Sequence, residues 1–170
     1  MENIESFSGK NLSYVRKVVL ATAAGVTSYV KPATGLNVTG TITFSAAVDV
    51  VSLTGTFEKC TFTCEESITE HGELFSSRVV MEVPKVQLDT TENFWEILIN
   101  RLFLLVTLAN EQVRILGDTG DGEDVTCVVR ESVEQENKYQ VEFTWQSSKP
   151  PYFYTGSPIG SQEAEEGGGE

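Results

Sequence analysis

The chain has 170 residues, of which 40% are hydrophobic and 22% are charged, and its formal net charge at pH 7 is -13. This length suits one domain with a hydrophobic core, and the hydrophobic content excludes a chain that is disordered throughout. Residues 1–57 carry three acids and four bases, whereas the remainder carries 22 acids and eight bases. Because so few bases are available to displace counterions, the charge excludes tight binding to bare DNA or RNA. Solubility is the simplest alternative explanation of the acidity.

The sequence carries no recognisable targeting or membrane segment. Its first residues, Met1-Glu2-Asn3-Ile4, lack the charged and apolar regions of a secretory signal peptide. No apolar run approaches the ~20 residues that a membrane span needs. We therefore expect a soluble protein that is made in a cytoplasm, has no signal peptide and has no membrane partner.

The three cysteines and the single histidine, His71, do not form a metal-binding pattern. Cys60 and Cys64 are predicted on the same face of one strand, roughly 13 Å apart at strand rise, which is too far for a disulfide bond. No CxxC spacing indicates zinc. We expect no cofactor, three buried cysteines including Cys127, and a solvated His71 in a loop.

The first half of the sequence predicts short strands and loops. Residues 1–11 are polar and predict an extended N-terminal arm. Leu12–Thr22 predicts a strand with Val18 and Leu20 on one side and Val15 and Val19 on the other. Residues 23–40 are rich in Ala, Gly, Thr and Pro and predict a long loop. Further strands are expected at residues 39–44, 48–53, 57–64 and 74–83, the last two joined into a hairpin by an acidic turn at 65–72.

The second half begins with a predicted α-helix at about residues 91–101. Asp89 and Glu92 have the spacing of a capping box. Apolar residues follow at helical spacing, namely Phe94, Trp95, Ile97, Leu98 and Leu102. A helix this short needs a sheet to pack against.

The remaining elements are predicted as strands. Leu102–Leu108 is apolar except for Thr107 and predicts a strand that is buried on both faces. Asn110-Glu111 predicts a tight turn, residues 112–116 a return strand, and the glycines of 117–122 a loop. Residues 125–130 and 139–146 alternate and predict a closing hairpin with Trp145 in the core. Residues 157–170 predict a flexible acidic tail, so the domain is expected to span residues 12–156.

Two segments are candidate binding sites. The loop at 118–124 holds four acids among glycines, which suits calcium but lacks EF-hand spacing, and a solvated hairpin loop is the alternative. These acids are Asp118, Asp121, Glu123 and Asp124. Tyr152–Tyr154 either contacts a partner or packs against the edge of the domain. No known nucleophile, phosphate-loop or zinc-protease motif occurs, so we predict that the chain is not an enzyme and has no catalytic or metal site.

The order of a helix, an apolar hairpin and a closing hairpin resembles the virion proteins of tailed bacteriophages. The similar stretches are residues 93–98, Phe103–Leu108 with Asn110, residues 114–117 and residues 139–154. Tail-tube proteins of that kind are antiparallel β-sandwiches or small barrels with one flanking helix, and they assemble as stacked hexameric rings. The resemblance therefore implies a structural subunit of a tail tube or head–tail connector, located in the virion, with itself and neighbouring virion proteins as partners.

Two hypotheses follow. In the first, an acidic lumen repels the phosphates so that DNA passes without specific binding, and unpaired strand edges close the ring between subunits. The arm at 1–11 and the loop at 23–40 would then become ordered when rings stack. The alternative is a β-sandwich binding module for a carbohydrate or protein ligand, which would use Tyr152–Tyr154 and the loop at 118–124, with or without calcium.

Overall fold

A computed structural model of the chain describes residues 14–45, 50–56, 59–70, 72–84, 95, 98–120, 124–132 and 138–156. The predicted N-terminal arm at 1–11 and the predicted acidic tail at 157–170 lie outside these residues. The strands are β1 (Val15–Thr22), β2 (Val26–Ser28), β3 (Asn37–Val38), β4 (Thr43–Phe44), β5 (Val51–Thr54), β6 (Thr61–Thr69), β7 (Gly72–Pro84), β8 (Leu102–Leu108), β9 (Val113–Leu116), β10 (Thr126–Ser132), β11 (Lys138–Ser147) and β12 (Tyr152–Tyr154).

The strands form three sheets, which confirms the prediction of a mainly β protein. One sheet has six strands in the order β3-β12-β9-β8-β1-β5. A second has four strands in the order β10-β11-β7-β6, and a third pairs β2 with β4. All neighbouring strands are antiparallel except β12 and β3, which run parallel.

The centre of the six-stranded sheet is β8, which is buried on both faces as its apolar sequence predicts. Leu104 and Val106 point into a first hydrophobic cluster, whereas Phe103 and Leu105 point into a second one on the opposite face. The unbroken apolar run is therefore needed because neither face of the strand meets water.

The first cluster contains residues of both large sheets. Val18 and Leu20 come from β1, while Met81 comes from β7 and Phe143 and Trp145 from β11. Trp145 is 5% exposed, which confirms its predicted place in the core. Full burial of a side chain of this kind stabilises the fold by roughly 1.5–3 kcal/mol, so this cluster is a main source of stability.

The second cluster lies under the segment 23–45. Val38 and Ile42 of this segment are buried there beside Tyr154. Backbone hydrogen bonds from Phe153 N–H to Leu36 O, at 2.7 Å, and from Thr155 N–H to Val38 O, at 3.0 Å, attach the segment to β12. The predicted loop at 23–40 thus contains a 3-10 turn at Ala23–Gly25 and the strands β2 and β3, because its few apolar residues have a face to cover.

A β-bulge changes the predicted orientation of Val15. The pairing of β1 with β8 advances two residues on β1, from Val15 to Lys17, while β8 advances one, from Leu108 to Thr107. Val15 therefore packs in the first cluster with Val18, and its predicted place beside Val19 is wrong. The extra residue interrupts the alternation of sides on which the prediction depended.

The flanking helix predicted at residues 91–101 is not seen in the part of the chain that the structure describes. Trp95 and Leu98 are helical and Ile99 lies in a turn, while residues 91–94 and 96–97 lie outside the described residues. Leu98 packs against the first cluster, but Trp95 and Ile99 are 51% and 83% exposed. Within the described part of this range, Leu98 is the residue that packs against a hydrophobic cluster.

The hairpin of β6 and β7 is confirmed, but its turn is shorter than predicted. Residues 65–69, predicted as part of an acidic turn, continue β6 and pair with β7 until Thr69 faces Gly72. Cys64, predicted to point inward, is exposed, while Cys60 is buried. Every residue from Thr63 to Thr69 is exposed, because β6 is an edge strand and its far half has little facing it.

Candidate functional site

The end of the β6–β7 hairpin extends beyond the sheet. Pairing of β7 with β11 stops at Phe75, which faces Ser147, whereas β7 stays paired with β6 as far as Gly72. We call residues 65–73 the hairpin arm. Its described acids are exposed, namely Glu65, Glu66, Glu70 and Glu73. The arm is therefore an acidic hairpin whose far part, from Ser67 to Glu73, extends past the main sheet.

Both edges of the four-stranded sheet are free in the described part of the chain. On the outer side of β6 only Thr61 has a partner, an isolated bridge to Tyr14. On the other edge, β10 pairs with β11 alone. An exposed, unpaired edge presents N–H and C=O groups that another strand can pair with. These two edges are therefore candidate surfaces for pairing with another chain.

The outer face of this sheet carries a network of ion pairs. Glu142 contacts Arg78 at 2.7 Å and Arg130 at 3.5 Å. Glu82 contacts Lys59 at 3.1 Å and Lys138 at 3.2 Å. The hydrogen bond from Arg78 lowers the pKa of Glu142, while for Glu82 partial burial raises the pKa but the two lysines outweigh it and leave the pKa lowered.

Acid is expected to remove the stabilisation that these pairs provide. Because both carboxyls have a lowered pKa in the folded protein, the stabilisation is complete above the unfolded-state pKa of ~4.3 and is lost as the pH falls below it. Exposed pairs contribute about 1 kcal/mol or less each. Glu142→Gln should therefore lower the unfolding free energy at neutral pH, and the difference should shrink as the pH falls through the lowered pKa of Glu142, as measured by urea unfolding. Glu65→Gln is the control, and an equal pH-dependent effect of both variants would contradict the account.

The acidic glycine loop is held by cations of the protein itself. Asp118 accepts hydrogen bonds from Lys31 Nζ and from Gly120 N–H, the latter at 3.2 Å. Burial raises the pKa of Asp118, but these donors outweigh it and the pKa is lowered. Asp124 pairs with Arg101. Asp121 and Glu123 lie outside the described residues, and among the residues described no group of three or more metal-ligating side chains is brought together.

The aromatic end of the chain forms β12 and packs into the core. Tyr152 and Tyr154 are each 7% exposed and belong to the second cluster. Of the two possibilities left open by the sequence, packing against the edge of the domain is therefore the one observed. The middle residue, Phe153, is partly buried beneath the guanidinium of Arg114, whose Cζ lies 3.3 Å from the ring centroid. Sequence analysis did not identify Arg114, although an arginine within an apolar strand was a visible signal.

The cysteines differ in exposure and none forms a disulfide. Cys60 is buried and its thiol donates to Thr56 O at 3.4 Å. Cys127 is partly buried, and burial raises the pKa of its thiol to about 12. Cys64 is exposed. The prediction of three buried cysteines is therefore wrong for Cys64, and His71 lies outside the described residues.

The buried hydroxyl of Tyr29 offers a test of the second cluster. Its ring packs edge-on against the ring of Phe103, with 5.2 Å between the two ring centroids. Its hydroxyl is buried without a hydrogen-bond partner among the described residues. Burial, with smaller contributions from Tyr152 and Asp118, raises the pKa of Tyr29.

Tyr29→Phe is expected to raise the unfolding free energy by about 1 kcal/mol, because it removes a desolvated polar group that gains nothing in the fold. Urea unfolding measures the change. The matched control is Tyr154→Phe, which removes an acceptor for Ile42 N–H and should lower stability by about 1 kcal/mol. Equal losses for both variants would show that the Tyr29 hydroxyl has a partner in solution.

Comparison of the chain with known family models, curated protein sequences and solved structures found no match. Among the described residues there is no helix long and apolar enough to cross a membrane. The candidate functional surface therefore rests on the geometry of the chain itself, namely the two free sheet edges and the hairpin arm.

Proposed function

We propose that the chain is a structural subunit of a phage tail tube or head–tail connector and assembles into stacked hexameric rings through which DNA passes. In this proposal the six-stranded and four-stranded sheets form a β-sandwich around the first cluster. The protein resides in the virion, and its partners are copies of itself and neighbouring virion proteins. The observation that carries the proposal is the pair of free edges, β6 and β10, on one sheet.

The strand directions of this sheet favour closure into a ring. Its four strands are all antiparallel to their neighbours, so β6 and β10 run in opposite directions. When β6 of one copy meets β10 of the next, the antiparallel alternation continues across the contact. The same head-to-tail contact repeated by rotation generates a closed ring, and it removes both exposed edges.

The net charge of -13 fits a channel for DNA. Carboxylates around a lumen repel the phosphate backbone, so DNA slides through without specific binding. On the outer face of the four-stranded sheet Glu82 and Glu142 are paired with cations, so the acidic lining of this proposal is assigned to other parts of the surface.

The alternative of a β-sandwich binding module has less support. Tyr152 and Tyr154 are buried, and Asp118 and Asp124 are paired with Lys31 and Arg101. Tyr152 and Tyr154 are therefore not available as the contact surface of that function, and the described residues bring together no calcium site.

Disulfide trapping across the proposed contact tests ring closure. Thr63 and Thr126 are exposed, lie on the two free edges and occupy the same row of the sheet, through Arg78 and Thr144. If the row continues into the next copy, the two Cβ atoms lie ~5 Å apart, within disulfide reach. Thr63→Cys combined with Thr126→Cys, in a chain with Cys64→Ser and Cys127→Ser, should give a ladder of covalent oligomers on mild oxidation.

The length of that ladder reports the number of copies in the ring. Thr63→Cys combined with Gln140→Cys is the matched control, because Gln140 is exposed but lies on the central strand β11. The variant Thr63→Cys with Val128→Cys covers a pairing that is offset by two residues, which keeps both side chains on the same face of the sheet. Absence of a ladder from both edge pairs, or an equal ladder from the control, would contradict the proposal.

A further inference from the structure

Arg114 differs from the other arginines of the chain. All five arginines are among the described residues, and four of them form ion pairs with a carboxylate. These pairs are Arg16–Glu111, Arg78–Glu142, Arg101–Asp124 and Arg130–Glu142. Arg114 has no carboxylate partner among the described residues. Because the chain has 25 acidic residues, an arginine without a carboxylate partner needs an explanation.

The guanidinium of Arg114 is held in place by neutral groups. Its face stacks on Phe153 with Cζ 3.3 Å from the ring centroid, and Nη1 donates to Pro151 O at 3.4 Å. Nε is buried and has no hydrogen-bond partner within the described part of the chain. Burial lowers the pKa of Arg114, but an arginine stays charged at physiological pH. The guanidinium of Arg114 is therefore a cation that is fixed in position and whose Nε–H group has no acceptor among the residues described.

The position of Arg114 is near the base of the hairpin arm. Leu116, two residues further along β9, belongs to the first cluster between the large sheets, so Arg114 is on the face turned toward the four-stranded sheet. Cys64 of β6 is among the groups that influence the pKa of Arg114, so its side chain lies nearby. Arg114 thus lies on the side of the molecule that carries β6 and the base of the hairpin arm.

The hairpin arm supplies the complementary charge. Its acids Glu65, Glu66, Glu70 and Glu73 are exposed, and none forms an ion pair with any residue that the structure describes. A guanidinium binds a carboxylate through two parallel hydrogen bonds, and this pairing is stronger when the surroundings exclude water. Unpaired carboxylates on one copy and an unpaired, stacked guanidinium on another are complementary.

We infer that Arg114, stacked on Phe153, receives a carboxylate from the hairpin arm of a second copy of this chain. The inference rests on the proposed self-assembly and names a contact between stacked rings, because within one ring β6 meets β10 of the next copy and not its hairpin arm. Because Nε is shielded in the isolated chain, local movement around the guanidinium accompanies the binding of the carboxylate. The contact fixes which surfaces of two copies meet, since a buried charge that meets a like charge opposes association.

A charge exchange between two variants tests this contact. The first variant carries Arg114→Glu with the natural acidic arm, and the second keeps Arg114 and carries lysine in place of Glu65, Glu66, Glu70 and Glu73. Each variant alone brings like charges together, and each should need about tenfold or more protein to assemble than the natural chain. An equimolar mixture brings opposite charges together at every contact and should restore assembly, as measured by light scattering.

The controls separate this contact from folding and from the proposed function. Arg16→Glu changes the same charge at an exposed arginine and should assemble as the natural chain does, and circular dichroism reports whether each variant is folded. Assembly of the Arg114→Glu variant at natural concentrations, or folded variants whose mixture stays unassembled, would overturn the inference while the natural chain still forms rings. A natural chain that never assembles would overturn both the inference and the proposed function.

Discussion

Phe143→Ala is expected to lower the free energy of unfolding by about 3–5 kcal/mol, the cost of a large cavity in a close-packed core. Phe143 is fully buried on β11 and belongs to the cluster shared by both large sheets. A loss of this size is a large fraction of the ~5–15 kcal/mol that stabilises a typical domain. Chemical unfolding, followed by circular dichroism, measures it.

Two further variants test whether the loss comes from the shared core. Phe143→Leu keeps most of the volume and should cost less than about 1.5 kcal/mol. Ile68→Ala removes a side chain that is 84% exposed on the hairpin arm and should change stability by less than about 0.5 kcal/mol. A Phe143→Ala variant as stable as Ile68→Ala would show that the two sheets do not share a packed core.

Gly117→Ala is expected to lower the free energy of unfolding by about 2–4 kcal/mol, because backbone strain and a steric collision both oppose a side chain at this position. Gly117 has φ +93°, which side chains rarely adopt, and it directly follows β9. A Cβ atom at this position would lie 2.5 Å from Leu102 O and 3.1 Å from Val125 Cγ2. The backbone of β8 therefore leaves no room for a side chain. Thermal and urea unfolding measure the loss.

Other glycines of the chain separate strain from collision. Gly35 has φ +78° but nothing within 4 Å of an added Cβ, so Gly35→Ala should cost only the backbone strain, about 1–2 kcal/mol. Gly40 has open space and no positive φ, so Gly40→Ala should be neutral or slightly stabilising. The expected order of losses is Gly117, then Gly35, then Gly40, and a different order would contradict the described loop geometry.

Sequence patterns predicted the strands whose surroundings are uniform along their length. The apolar run of β8 reflects burial on both faces along the strand. The alternation of β11 reflects burial on one face along the strand. The prediction was wrong for Val15 because a bulge shifts the alternation of β1 by one residue. It was wrong for Cys64 because β6 is the edge strand of its sheet, and Cys64 is exposed there although its row continues through Ser77 to Trp145. Local alternation carries no information about whether a strand lies at the edge of a sheet.

The candidate functional surface was harder to predict because it depends on pairing between distant segments. The free edges exist because β11 pairs with β7, which precedes it by more than 50 residues, and no local pattern fixes this strand order. The stacking of Arg114 on Phe153 likewise requires β9 to pair with β12. Glycine and acid content identified the loop at 118–124, but only the structure showed that Lys31 and Arg101 pair with Asp118 and Asp124.

The proposed rings, closed through the free edges of the four-stranded sheet, would fix the mass of the protein in solution. Light scattering on the purified protein over a range of concentrations, with negative-stain images of the same sample, makes the measurement. Ring formation predicts a fixed multiple of the chain mass, with rings or short tubes in the images. A protein that stays monomeric at the highest concentration, and forms no polymer when partner virion proteins are added, would contradict it.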